Sequence, residues 1–276
     1  MSEVEEKVRA FYDTYGWVKH EDGRVGEDQF REFSGAYLPY HDAVERRLLA
    51  CFSERTGNLL IGGGGDLPPT HTAIASQFSA VTCLDISQRA LEIAKAKLEN
   101  SAECILGSLL DIPKPSDYFD AAFCAHVIYH IDRDLQERAV DELVRVTKPG
   151  GRIVIIYSNP VSFIDRLVAK KHKVPLLWKV RRPLTSSGQV VGSEKPPPFY
   201  SAAHPLQWWK RFEAKCRVTF IPGDVMSSSE DQELLLNETM AAVVYRMCAW
   251  FERKHPARAA QWWGYPIIIL DKNAMS

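Results

Sequence analysis

Two groups of residues have types and spacings that could do chemistry. The first is Gly62-Gly63-Gly64-Gly65-Asp66, which ends the apolar run Asn58-Leu59-Leu60-Ile61, together with Asp85, which closes a second apolar run from Ala80 to Leu84. Glycines let backbone lie directly against a ligand where any Cβ would collide. A carboxylate at the tip of the neighbouring strand is placed to accept hydrogen bonds from a ribose. Glycine turn plus spaced acid predicts a nucleoside site. The second group is His126, Tyr129 and His130, which follow the apolar run Ala121 to Ala125. Histidine is the side chain whose ordinary pKa best suits proton transfer near neutrality, so a general base is one reading and simple packing or capping is the other.

The residues inside the turn bear on which nucleoside. A dinucleotide sets its pyrophosphate on such a turn and on the following helix N-terminus. Asp66 stands where a third glycine of that fingerprint is expected, and its carboxylate would repel the pyrophosphate. S-adenosylmethionine has no phosphate, and its sulfonium and amino groups are cationic, so Asp66 suits it better. Alternatively, Asp66 only caps the helix that begins near Pro68.

The elements that must position these residues follow from apolar periodicity. Glu3 to Tyr15 reads as an amphipathic helix, Trp17 to Asp28 as a loop, Phe30 to Ala36 as a short helix and His41 to Phe52 as a firmer one. Pro68 and Pro69 suit a helix start, with the crossover helix Thr70 to Phe78 after them; His71 in its first turn reads as a surface residue or a ligand contact. Strands at Leu59, Ala80, Ala102, Ala121, Arg152, Arg217 and Tyr265 alternate with helices Ser87 to Leu98, Arg133 to Thr147 and Asp231 to Lys254. This pattern predicts an α/β fold: a Rossmann-like, seven-stranded, mostly parallel sheet ordered 3-2-1-4-5 in its centre, with helices on both faces. Boundaries fall at 1–56, an N-terminal helical lid; 57–160, the cofactor-binding core; 161–214, a cap inserted after the fifth strand; and 215–276, the strands and long helix that complete the core.

With further motifs added, the stretch from Leu59 to Ser158 resembles the class I S-adenosylmethionine-dependent methyltransferases. The motifs are the glycine turn, Asp85, Gly107-Ser108-Leu109-Leu110-Asp111-Ile112-Pro113, Tyr118-Phe119-Asp120, His126-Val127-Ile128-Tyr129-His130-Ile131 and Thr147-Lys148-Pro149-Gly150-Gly151. The resemblance implies an antiparallel last strand, S-adenosyl-L-methionine as cofactor and a small-molecule acceptor, with O- or N-methylation the commonest outcome. It implies cofactor contacts from Tyr12 and Tyr15 of the lid, Gly62, Gly63, Gly64, Asp66, Asp85, Ile86, Ser108, Leu109, Ala125 and His126, and catalysis by His126, Tyr129 and His130. Three positions depart from the family pattern: Leu60 replaces an acid, Asp66 a glycine, and Ser108 an aspartate. A non-catalytic binding protein of the same fold therefore stays open, as does an NAD-dependent oxidoreductase.

Composition narrows the setting. The 276 residues carry a formal net charge of −1, so no global field favours nucleic acid. Met1 to Arg9 is charged rather than apolar, unlike a signal peptide, and no apolar run reaches the length that spans a bilayer. Six cysteines lack C-x-x-C or metal-ligand spacing and read as reduced, buried thiols of a cytoplasmic protein, with no metal site. Val161 to Arg182 is basic and Pro183 to Pro198 rich in Pro, Gly and Ser. The basic run reads as a solvated face or as a lure for an anionic acceptor or membrane surface. Trp178, Tyr200, Trp208 and Trp209 read as cap packing or as the wall of an aromatic acceptor site.

Overall fold

The computed structural model describes residues 2–18, 25, 33–99, 101–172 and 199–274. Seven strands form one sheet: β1 (Asn58–Gly62), β2 (Ala80–Asp85), β3 (Glu103–Leu106), β4 (Phe119–Ala125), β5 (Thr147–Ile156), β6 (Cys216–Asp224) and β7 (Tyr265–Lys272), in the order β3-β2-β1-β4-β5-β7-β6. Only β7 runs against its neighbours. The expected central order and the antiparallel last strand are both present.

The central strands are buried on both sides, so their alternate residues feed two cores. Leu60, Cys124, Ile153 and Ile155 face one core, beneath α5 (Gln136–Val146). Leu59, Ile61, Phe123 and Val154 face the other, beneath α2 (Leu38–Ala50), α3 (Pro69–Ala75) and α4 (Gln88–Lys97). The helices that follow β1 and β2 thus lie on one face and the helix after β4 on the other. The chain reverses its winding between β1 and β4, and a crevice opens there at the carboxyl edge of the sheet.

Helix α1 (Glu3–Phe11) starts with a capping box between Ser2 and Glu5 and runs into a π-helical turn, Tyr12–Gly16. Side-chain hydrogen bonds tie this segment to the carboxyl edge: Ser108 to Glu5, and Ser87 to Asp13 at 2.5 Å. Between β5 and β6 lie α6 (Phe163–His172) and a 3-10 helix, Leu206–Phe212. The tryptophans of the latter pack into the core rather than walling a site. Trp209 is fully buried edge-on against Tyr157 at 5.0 Å, with Trp208 and Phe212 beside it. Trp178, the Pro-rich stretch and the basic run from Lys173 onward lie outside the described residues.

The sequence pattern predicts one helix from Asp231 to Lys254; the structure has two, α7 (Ser228–Leu234) and α8 (Glu238–Lys254). The break is local chemistry. Leu235 is extended, and the Asn237 side chain caps α8 by accepting from the Met240 N–H at 2.8 Å. A further helix, α9 (Pro256–Trp262), begins with its proline at the first position, where the missing N–H has no helical partner to lose.

Candidate active site

A cleft of about 1130 Å³ opens along the carboxyl edge. Its floor is the glycine turn. Gly63 (φ +70°) donates its N–H to the Leu84 carbonyl at 2.8 Å, and Gly65 (φ +53°) lies under the Trp17 indole. A Cβ on Gly63 would stand 2.2 Å from Val127 Cγ2, and one on Gly65 2.9 Å from the Trp17 ring. Only glycine fits either place. Trp17 in turn stacks on Tyr12, with centroids 5.4 Å apart and planes 12° apart, so the N-terminal segment overhangs the turn.

Asp85 ends β2 inside the cleft. Its Oδ1 accepts the Ser87 N–H at 2.8 Å and its Oδ2 the Gly65 N–H at 3.5 Å, which couples the acid to the glycine turn. Burial raises its pKa to about 6 against those hydrogen bonds, with Asp13 adding like charge. Asp66 lines the same floor. It is not the N-cap of α3: that position is Pro68, which has no side-chain acceptor.

Ile86, Leu109, Ala125, His126, Tyr129, His130 and Tyr12 also line the cleft, as does His71, whose ring meets Phe123 edge-on at 4.7 Å. Three residues expected at the cofactor do not. Gly62 sits behind the floor with Leu109 packed over it, where a Cβ would be 2.8 Å from Leu109 Cδ2. Tyr15 turns onto Phe11, centroids 5.4 Å apart. Ser108 points at the N-terminal helix instead of a base edge: its hydroxyl donates to Glu5 and accepts the Leu110 N–H at 3.0 Å.

The residues after β4 are held firmly. His130 Nδ1 lies 2.7 Å from the Tyr200 carbonyl, which can only accept, so Nδ1 carries the proton. Burial lowers the pKa of His130 to about 4, against the pull of that carbonyl and with a further push from His126. His130 is therefore neutral at pH 7. His126 has left-handed backbone (φ +59°), and its Nδ1 lies 2.8 Å from the Tyr129 hydroxyl. A residue held in that conformation at a cleft is a familiar companion of function.

Beyond His126 the cleft continues into residues that the sequence did not single out. The antiparallel register pairs Asp224 with Tyr265, bringing the end of β6 and the start of β7 to the same carboxyl edge as His126. The Tyr265 ring lies 5.4 Å from that of His126. From α2 and the turn before it, Tyr37 donates to Asp224 Oδ1 at 2.6 Å, and His41 Nδ1 lies 2.7 Å from the Tyr37 hydroxyl. Burial opposes protonation of His41, but Asp224, Glu45 and Asp42 outweigh it and raise its pKa. Burial, reinforced by Asp224, keeps Tyr37 a phenol. No local pattern marks these residues as a group, because the bonds that tie Tyr37 and His41 to Asp224 span 187 and 183 positions of sequence.

A seven-stranded sheet with one reversed strand, a glycine turn after β1, an acid at the tip of β2 and a cleft across both is an α/β domain with a crevice at the carboxyl edge of its sheet. Residues 59–155 match the family described as Methyltransferase domain. The ubiquinone/menaquinone biosynthesis C-methyltransferase of Vibrio vulnificus is 28% identical over 131 residues, 44% of this chain; the chain spans about half (49%) of that relative's length. Two solved structures share the fold across nearly the whole chain. The N-methyltransferase NodS of Bradyrhizobium japonicum, in complex with S-adenosyl-L-homocysteine, has a TM-score of 0.55 at 12% identity, covering 98% of this chain and 99% of its own. A complex of DhpI with the same ligand has a TM-score of 0.57 at 15% identity, covering 99% and 98%. Among the described residues no helix is long and apolar enough to cross a membrane.

Proposed function

We propose that this protein is an S-adenosylmethionine-dependent methyltransferase that acts on a small molecule, at oxygen or nitrogen. The observation that carries the reading is a single cleft that joins the glycine turn, Asp85 and Asp66 at one end to His126, Tyr129 and Tyr265 at the other. The residues fit the cofactor. Bare backbone at Gly63 to Gly65 admits close approach, Asp85 offers two carboxylate oxygens to a ribose, and Asp66 gives a negative charge for a cationic methionine end. Leu109 and Ile86 supply apolar surface for a base. All six cysteines are thiols, which accords with a cytoplasmic setting.

When bound, the cofactor supplies a methyl carbon on an already activated sulfonium leaving group. The protein's tasks are then alignment and exclusion of water. Tyr12 and Trp17 overhang the turn and shield it. Neutral His130, fixed by the Tyr200 carbonyl, positions the loop after β4. His126, with Tyr129 on its Nδ1, is the group at hand to take a proton from an acceptor. The defining experiment is turnover: incubation with cofactor and a broad acceptor panel should release S-adenosylhomocysteine. A protein that binds cofactor but methylates nothing would be the binding protein of this fold instead.

Two further results are expected. Asp85 accepts ribose hydroxyls best as a carboxylate, and its pKa stands near 6, raised by burial. Cofactor affinity measured by calorimetry should therefore be flat above pH 7 and fall as pH drops through about 6, where the group takes up a proton and loses charge-assisted bonds. An affinity independent of pH between 5 and 8 would count against Asp85 as the ribose acceptor. For Asp66, removal of charge alone should matter. Asp66→Asn should weaken cofactor binding roughly three- to ten-fold with little change in melting temperature, since the side chain is half-buried and the N-cap position of α3 belongs to Pro68. Unchanged affinity would remove Asp66 from the site.

A further inference from the structure

The far end of the cleft is acidic and aromatic. Six carboxylates line the cleft, from Glu5, Asp42, Glu45, Asp66, Asp85 and Asp224. Among the described lining residues the only permanent cation is Arg46. Glu5 is taken up by Ser108, and the glycine-turn end claims Asp66 and Asp85. That leaves Asp224, Asp42 and Glu45 around the acceptor end; His41 lies 3.4 Å from both Asp224 and Glu45, and even when protonated it is outnumbered by these three carboxylates. More negative charge stands behind it: Glu230, Asp165 and Asp224 all act on the Tyr265 phenol, which burial and these neighbours keep protonated. The walls here are rings. Phe33 stacks on Tyr37 with centroids 3.8 Å apart, Tyr37 on His41 at 4.9 Å, and Tyr265 faces His126. The cleft, at about 1130 Å³, also exceeds the roughly 300–1,000 Å³ of a pocket for one ligand.

We propose that the acceptor is an organic amine, held as its ammonium between Asp224 and the aromatic walls and methylated at nitrogen. This rests on the methyltransferase reading above and goes beyond it. Carboxylates and aromatic faces in a partly desolvated site are the combination that binds an ammonium, through charge-assisted hydrogen bonds and cation–π attraction. An anionic acceptor would meet like charge at every carboxylate, and the described basic side chains of the run after β5, such as Arg166 and Lys170, do not line the cleft. The chemistry balances. The ammonium gives one proton to the His126 imidazole, and the freed nitrogen lone pair forms the N–C bond as the S–C bond breaks. That electron pair returns to sulfur, leaving a neutral thioether and an N-methylated ammonium.

The test is a matched panel: primary and secondary amines beside alcohols, phenols and carboxylic acids of the same carbon skeletons. Product is followed as S-adenosylhomocysteine and located by mass spectrometry. N-methylation of amines at least ten-fold faster than of any oxygen counterpart is the expected result. Asp224→Asn, which keeps an acceptor for the Tyr37 hydroxyl, should raise the KM for the amine ten-fold or more while cofactor Kd stays unchanged. Glu45→Gln, half-buried on α2 beside His41, should raise it by a smaller factor and guards against misfolding of the first variant. Methylation of the alcohols, phenols or acids but not the amines would overturn the inference and leave the methyltransferase reading intact. Failure to methylate any member would overturn both.

Discussion

Asp85→Asn is expected to weaken binding of S-adenosylmethionine by about ten- to a hundred-fold while the melting temperature at pH 7 holds or rises. The first half follows from charge-assisted hydrogen bonds to ribose hydroxyls, worth roughly 1.5–3 kcal/mol. The second follows from the sign of the pKa shift. The Asp85 pKa stands near 6, above the ordinary aspartate value, because burial disfavours its charge. Between the ordinary value and 6 the folded protein holds a proton that the unfolded chain has released, so stability falls as pH rises through that window and is flat above it. At pH 7 the carboxylate is thus ionised at a cost to the fold. Asparagine removes that cost and still accepts the Ser87 N–H. A carboxylate retained for a ligand would show this opposition; one retained for structure would lose affinity and stability together. Calorimetry and thermal denaturation of the same preparation separate the two.

The second large effect is at Gly63. Gly63→Ala should destabilise the protein by about 2–5 kcal/mol and abolish measurable cofactor binding. A left-handed non-glycine residue costs about 1–2 kcal/mol, and overpacking a further 1–3. The added Cβ would meet Val127 Cγ2 at 2.2 Å and Cγ1 at 3.0 Å. Valine is stiff at χ1, so it cannot turn both methyls away. The turn must move instead, and the turn is the floor of the cleft. Val127→Ala in the same chain should recover part of the stability, since it removes both clashing atoms, and little of the affinity, because the alanine introduced into the turn is still held in left-handed backbone. Full recovery of both would mean that the turn tolerates the Cβ and that Val127 alone was at fault.

What could be read from the sequence divides along chain continuity. The glycine-turn half of the cleft is built from strand ends and the few residues after each: Gly63 to Asp66 after β1, Asp85 and Ile86 at the end of β2, and His126 to His130 after β4. Each is marked by an apolar run that stops, and the α/β winding rule brings such ends to one edge. The far half joins α2, the end of β6 and the start of β7, and only the antiparallel register of β6 on β7 sets Asp224 beside Tyr265. Apolar periodicity carries no strand direction, so that register was not legible. Ser108 shows a smaller failure of the same kind. Its position after β3 is legible, but its hydroxyl answers to Glu5 of α1, a partner 103 residues away. In the broken helix between Ser228 and Lys254, by contrast, the signal was local: Asn237 is a helix-start residue inside an otherwise continuous apolar pattern.

Cofactor identity is tested by a calorimetric titration of the purified protein with S-adenosylhomocysteine, which needs no acceptor, alongside one with NAD. One mole of S-adenosylhomocysteine should bind per mole of protein, with affinity lost on lowering the pH below about 6 and in Asp85→Asn, and NAD should give no heat. Binding of NAD with none of S-adenosylhomocysteine or S-adenosylmethionine would overturn the methyltransferase reading and make the glycine turn a dinucleotide site.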